Sequence, residues 1–446
     1  MDRKKIVFVG GGSFGWMPRI VKDMLLTDAI SESEFVLYDI HKEASDLVAA
    51  FLGKLNRQLE TNGSIVSTDD RESALEGADY VVITISTGGL DAMAHDIAIP
   101  EEYGILHTVG DTAGPGGWAR FIRNYEVFVS LAKDINQYAD GAVVLNYTNP
   151  MSTLTDVLAR LCNGPVVGLC HGLFENINKI VDIYGLEDED ELALKYAGLN
   201  HFFWVTGART KNMDIFDDLR KRVASEGLTQ MLAKAPGADK ESPEFRELAT
   251  ALFNETGAMP YFGDRHTCEF FPCYITSPEA MERYKIIRTS IAERREGAAK
   301  LKQTLEEMIE GEIPNEYTDR SRETAADIIA AHSTGGTFID VGNLPNIGQV
   351  SNLPKGVVLE TAMRVDQNGF APVTFGDLPD PVLAFVEPCA RSFQMTVEAC
   401  FEKDKEKALQ ALRMDPVCAG LTGEQVREMG ARLLEAHRDF PNPFAS

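Results

Sequence analysis

Apolar residues in the first part of this chain gather in short runs that suit strands better than helices. Residues 5–9 read Lys-Ile-Val-Phe-Val, and comparable runs occupy 34–37, 65–67, 80–85, 142–145 and 166–169. They are rich in β-branched side chains and stop at a glycine or a polar turn, as buried strands do. Between them the spacing turns helical, at residues 14–26 and again at 43–60. Strands alternating with helices predict a parallel, doubly wound sheet with right-handed crossovers. The rhythm breaks near residue 195. Beyond it a charged helix is expected from Ser277 as N-cap, with Pro278 in the first turn, to about residue 311. Residues 333–380, dense in Gly, Pro and Asn, are expected to be loop-rich. The expected architecture is α/β: a Rossmann-type parallel sheet over 1–195, then a mixed α+β domain over 196–446.

Composition narrows the function. The 446 residues carry a formal net charge of −25, which disfavours nucleic acid, because phosphate binding needs clustered Lys and Arg. A small anionic substrate stays possible, since the local field at a closed site outweighs the global charge. With no long apolar run, no membrane span is expected. The short apolar stretch at 5–9 is followed at once by glycines rather than by a cleavage pattern, so it reads as a strand and not as a signal peptide. The seven cysteines are scattered and lack CxxC spacing, which points to reduced thiols in a cytoplasm.

The first strand runs into Gly10-Gly11-Gly12-Ser13-Phe14-Gly15. Gly10, Gly12 and Gly15 fit the dinucleotide fingerprint, with a strand before and a helix after. Glycines permit the tight turn and close approach of the backbone, and the helix N-terminus faces a pyrophosphate. Ser13 and Phe14 lie inside that turn. Asp39 ends the second strand, where a carboxylate accepts ribose hydroxyls and repels an extra phosphate, so NAD is expected over NADP. Thr84, at the end of the next strand, is a further candidate for the cofactor edge.

Asn149, in Asn146-Tyr147-Thr148-Asn149-Pro150, lies where ligands bind in such sheets; it serves either as a helix cap or as a holder of a substrate hydroxyl. Asp111 falls in a second glycine-rich loop, 110–117, which lacks the Lys-Ser/Thr of a phosphate-binding P-loop. Residues 257–266 gather Tyr261, Asp264, Arg265 and His266 in one loop. Cys170 ends a strand, and His201 follows the break in rhythm. A thiolate and an imidazole suit a divalent transition metal, although a lone buried cysteine or histidine is more often a core residue.

Taken together, GGGSFG, DTAGPGG, NYTNPM, GLCHG, GLNHF, GDRH and the late Asn352-Leu353-Pro354 with Val357-Val358-Leu359-Glu360 resemble glycoside hydrolase family 4 along the whole chain. That family comprises NAD- and metal-dependent glycosidases related in fold to lactate and malate dehydrogenases. The resemblance implies Cys170 and His201 as metal ligands, usually for Mn²⁺, Asn149 as a substrate-hydroxyl ligand, and Asp111 in a loop that reaches the sugar. It implies a small carbohydrate substrate and a homodimer or homotetramer. His171-Gly172 after the metal cysteine looks like the branch acting on unphosphorylated α-glucuronides or α-galacturonides rather than on neutral α-glucosides and α-galactosides. The implied chemistry is transient oxidation at C3 by NAD⁺, loss of the acidified C2 proton, elimination of the aglycone, addition of water and reversal, with no net redox. Either Asp264 or Tyr261 is the expected C2 base, assisted by His266, and His171 is expected to protonate the leaving oxygen. A uronate carboxylate would need a cation such as Arg120, Arg123 or Arg265.

Two other classes share the nucleotide half. A 2-hydroxy-acid dehydrogenase would turn over NAD, but gives the Cys170–His201 pair no task. An NAD-sensing binding protein would need neither metal nor base. Hydrolysis of an aryl α-glycoside with unconsumed NAD⁺ separates all three.

Overall fold

Strand β1 (Lys5–Val9) lies inside a parallel sheet because both its faces are apolar. Val7 and Val9 join one hydrophobic cluster, Ile6 and Phe8 another, as the two-residue period of a strand requires. The computed structural model describes residues 3–236 and 244–444. With β2 (Glu34–Tyr38), β3 (Ser64–Thr68), β4 (Tyr80–Ile83), β5 (Val143–Asn146) and β6 (Val166–Gly168), the parallel order is β3-β2-β1-β4-β5-β6. This is the order of a dinucleotide-binding sheet, whose ligands lie beyond the carboxyl ends of the strands. The first helix begins at Met17 rather than at residue 14, because residues 10–16 form turns around the glycines.

The second half continues the same sheet. Strands β7 (Leu192–Leu199) and β8 (Phe202–Thr210) form an antiparallel hairpin, and β9 (Met259–Pro260) pairs with β8. Residues 333–380, expected to be loop-rich, instead supply β10 (Phe338–Pro345), β11 (Val358–Asp366) and β12 (Gly369–Pro372). β10 joins β6 antiparallel, with Asn343 opposite Gly168, and β11 joins β7, with Glu360 opposite Gly198. Polar residues disguised this pair. Asn343 and Glu360 interrupt the apolar pattern, yet both are buried because Asn343 Nδ2 donates to Glu360 Oε2 at 3.0 Å.

The charged helix expected over 277–311 is two helices. Ser277 does cap, but its helix is Pro278–Arg283. Lys285 then takes φ +55°, and a capping box of Ser290 with Glu293 starts a second helix, Ile291–Glu310. The new cap outcompetes continuation of the first helix. At the C-terminus, helices Asp380–Glu402, Lys405–Met414 and Gly423–Ala436 pack back on the long helix Gly114–Tyr138. Trp118 Nε1 donates to the Ala408 carbonyl at 3.1 Å. Among the described residues, no helix is long and apolar enough to cross a membrane.

Candidate active site

The turn after β1 is built from contacts that leave no room for side chains. Gly10 has φ +97°, and a Cβ there would fall 2.6 Å from the Thr84 carbonyl oxygen. A Cβ on Gly12 would fall 2.7 Å from Ala44 Cβ and 2.9 Å from Asp39 Oδ2. Asp39 occupies that space because its two oxygens accept from Gly12 N and His41 N, each at 2.9 Å. The carboxylate thus holds the turn and retains further lone pairs. Gly15 differs: it is exposed, and a Cβ there would meet Leu301 Cδ1 at 3.6 Å, ordinary contact. Phe14 packs on the core beneath, while Ser13 and Thr84 face the cavity described next.

That cavity, about 800 Å³, opens at the carboxyl ends of the strands. Ser13, Thr84, Asp111, Asn149, His171 and His201 line it together with Tyr261, Asp264, Arg265 and His266, so the loop at 257–266 closes onto the nucleotide half. Arg120 fixes the floor, with Nε donating to the Asn149 carbonyl at 2.9 Å and Nη2 to Ser86 Oγ at 3.2 Å. Asn149 Nδ2 donates to Asp111 Oδ2 at 3.4 Å, while its Oδ1 is buried without a partner.

Asp111, His201 and His266 place their ligand atoms within 4.8 Å of one another. His201 stands in the β7–β8 turn with φ +61°, a left-handed conformation that turns its ring toward Asp111. Its ring lies 4.0 Å from that of His266 and stacks at 6.0 Å on Tyr261. Burial, then the neighbouring His266, push His201 well down, so the imidazole is neutral and keeps a lone pair. Burial alone would raise Asp111, but its neighbours His266, His201 and Arg120, with the Thr112 hydroxyl, together hold it below the usual carboxylate range. His266 Nδ1 is buried and unpartnered. Cys170 lies outside this close group. Its Sγ accepts from Gly172 N at 3.4 Å and borders the Tyr261 ring, since a Cβ on Gly172 would meet Cys170 Sγ at 3.6 Å and Tyr261 Cζ at 3.2 Å. Burial, then the charge of Glu360, push its thiol up.

The proton-transfer candidates sit differently. Asp264 accepts from Leu248 N and Ala249 N, each at 3.2 Å, at the start of helix Glu247–Thr256. Burial nevertheless raises its carboxyl to about 7. Burial also raises the Tyr261 phenol far above its ordinary value. His171 is half exposed at the cavity mouth, 5.5 Å from the Trp16 ring, with Nδ1 4.0 Å from Glu323 Oε1.

The cations separate cleanly. Arg123, one of the three guanidiniums expected for a carboxylate, is outside the cavity: it is buried in a two-bond pair with Asp96, at 2.8 and 2.7 Å, beside His437. Arg246 is tied to Glu175 and Glu244, at 2.6 and 3.0 Å. Arg265 Nη2 donates to Thr289 Oγ1 at 2.5 Å, and its Nε is buried without a partner. Sequence reasoning missed Thr112, which bridges Asp111 and His201, as well as Arg294 and Glu269. Thr112 lies inside the DTAGPGG phrase but its bond to His201 is long-range, as are the contacts of Arg294 and Glu269, which no local pattern marks.

The chain matches two family models: Family 4 glycosyl hydrolase over residues 5–186, and Family 4 glycosyl hydrolase C-terminal domain over residues 196–418. An alpha-galacturonidase of Thermoanaerobacter italicus is 32% identical, over 98% of this chain and 97% of that protein. An alpha-galactosidase of Bacillus subtilis is 30% identical, over 98% and 99%. The crystal structure of a putative glucosidase, lplD, from Bacillus subtilis superposes with a TM-score of 0.87 at 30% identity, covering 97% of this chain and all (100%) of that one.

Proposed function

The chain belongs to family 4 of the glycosyl hydrolases, and on that premise we propose that it hydrolyses α-linked uronides, α-D-galacturonides or α-D-glucuronides, with NAD and a divalent metal such as Mn²⁺ bound. The observation that carries the substrate class is the charge of the cavity. The chain has a net charge of −25, yet Arg120, Arg265, Lys285 and Arg294 line this cavity. The carboxylates opposing them are mostly committed: Glu175 and Glu244 pair with Arg246, and Asp264 caps a helix. What remains is a cationic pocket around Asp111, suited to an anionic sugar. The 32% identity to an alpha-galacturonidase supports the same reading.

Bound NAD would accept a hydride from the sugar, and the metal would supply Lewis acidity beside it. The residues present fit both groups. The cramped glycines at 10 and 12 and the Asp39 carboxylate fit a dinucleotide. Asp111, His201 and His266 fit a divalent ion, while Cys170, the other expected ligand, lies outside that close group beside Gly172.

The chain's own groups then divide the work. The unpartnered Asn149 Oδ1 accepts a sugar hydroxyl. Asp264, held at the cavity wall by two backbone N–H groups, is the base for the C2 proton, and the buried Tyr261 ring backs His201. His171, at the mouth, delivers a proton to the leaving oxygen. Arg265 reads the uronate carboxylate. Arg120 spends Nε and Nη2 on the Asn149 carbonyl and Ser86, and Arg294 spends Nη2 on the carbonyls of Thr108 and Val109. Arg246 and Arg265 each keep an unpartnered Nε, but Arg246 is already held by Glu175 and Glu244, whereas Arg265 has no carboxylate partner among the described residues.

The free cysteines, including exposed Cys273, fit the reducing cytoplasm. Exposed Ile339, Ile347 and Val373 offer apolar surface for a homodimer or homotetramer. A second reading, neutral α-galactosides, draws on the 30% identity to an alpha-galactosidase. The test is kcat/KM for paired aryl α-galacturonide and α-galactoside substrates, with NAD⁺, Mn²⁺ and a reductant. Preference for the uronide is expected; preference for the neutral sugar favours the second reading, and no hydrolysis of either overturns both.

A further inference from the structure

Glu269 takes no part in the chemistry above, yet its fully buried carboxylate accepts three successive backbone N–H groups, from Thr108 at 2.7 Å, Val109 at 2.8 Å and Gly110 at 2.9 Å. Thr108 Oγ1 and His107 Nδ1 also meet Oε1, each at 3.1 Å. Successive N–H groups aimed at one oxygen form a preorganised anion nest. The opposite ends of the same peptides are held as well: Arg294 Nη2 donates to the Val109 carbonyl at 3.2 Å and the Thr108 carbonyl at 3.4 Å. Residues 108–110 are thus clamped between a carboxylate on their N–H side and a guanidinium on their C=O side.

The clamp joins two segments that both carry ligands. Asp111 follows Gly110 directly, and Glu269 sits in the turn Cys268–Phe270 that continues the short helix Asp264–Thr267, which carries His266. Thr108 Oγ1 donates to the Arg265 carbonyl, a second tie between the same segments. We propose that Glu269 is a positioning residue: by gripping the 108–110 nest it sets the separation of Asp111 from His266, and so the geometry in which Asp111, His201 and His266 receive a divalent cation. This inference rests on the metal reading of that group. A carboxylate that merely filled a core position would leave ion affinity untouched in the folded protein.

The experiment is titration of the full-length wild type, Glu269→Gln and Thr108→Val with Mn²⁺, followed by electron paramagnetic resonance. NAD⁺ binding and the melting temperature are measured in parallel, and every titration is run well below each variant's Tm. Glu269→Gln replaces acceptor lone pairs with an N–H₂ facing the nest; Thr108→Val keeps the backbone donor and removes the hydroxyl ties. The expected result is Mn²⁺ affinity weaker by roughly ten- to a hundredfold in Glu269→Gln, with a smaller loss in Thr108→Val and NAD⁺ affinity within about twofold of wild type. Folded Glu269→Gln with wild-type Mn²⁺ affinity overturns the proposal. Should Glu269→Gln not fold, Thr108→Val decides: weakened Mn²⁺ binding supports the proposal, and unchanged binding overturns it. Wild type that binds no Mn²⁺ defeats the metal reading itself, and this inference with it.

Discussion

Thr112 Oγ1 lies 2.9 Å from His201 Nδ1 and decides which ring nitrogen is free. The same hydroxyl donates to Asp111 Oδ1 at 2.6 Å, so toward His201 it acts as acceptor and holds the proton on Nδ1. Nε2 then carries the lone pair and is the nitrogen left for a metal. Thr112→Val keeps the shape and removes the hydroxyl. Its Mn²⁺ affinity, by calorimetry, is expected to fall by about tenfold or more. Wild-type affinity would show that the hydroxyl does not set the tautomer.

Glu360 gives a pH prediction for stability. Burial raises its carboxyl to about 7, against bonds from Asn200 and Asn343 that lower it. The folded pKa exceeds the ordinary 4.5, so folding favours the neutral form. That contribution is complete below about 4.5 and is lost as pH rises through about 7, a change on the order of 3 kcal/mol. Glu360→Gln is neutral throughout. Urea unfolding at pH 5 and pH 8 should show the variant gaining on wild type at the higher pH. A wild-type-to-variant difference that is constant across this range contradicts the assignment.

Asp264→Asn is expected to lower kcat by roughly a hundredfold or more, the usual worth of a general base, while Tyr261→Phe stays within about tenfold of wild type. Steady-state kinetics on an aryl α-uronide decide this. The reverse order would transfer the base to Tyr261.

Arg265→Gln should reduce the ratio of kcat/KM for galacturonide over galactoside by about tenfold or more, because a charge-assisted carboxylate bond is lost. An unchanged ratio, with wild type preferring the uronide, assigns the carboxylate to Lys285 or another cation.

Much of the nucleotide half was legible because its signals are local. An apolar run, a glycine turn and a carboxylate at the end of the next strand specify one another within forty residues, and Asp39 does bond Gly12. The phrases around Asn149, His201 and His266 also pointed to one cavity. What was hidden depends on distant partners. β10 and β11 look like loops until Asn343 donates to Glu360 across the sheet. Arg123 looks like a substrate cation until Asp96 and His437 enclose it. Glu269 acts on residues 161 positions away, beyond any spacing rule. The break at Lys285 needed weighing one helix cap against another, and the charged, helix-prone composition masks it.

In the proposed reaction this cavity breaks C2–H before the aglycone leaves, rather than displacing it directly at C1. The most direct measurement is hydrolysis of an α-galacturonide in D₂O with catalytic NAD⁺ and Mn²⁺, and NMR analysis of the released sugar. Solvent exchange at C2 reports the bond-breaking step even when product release limits turnover. Deuterium is expected at C2 of the product, with no net consumption of NAD⁺. Product with full protium at C2, formed at the normal rate, would contradict it.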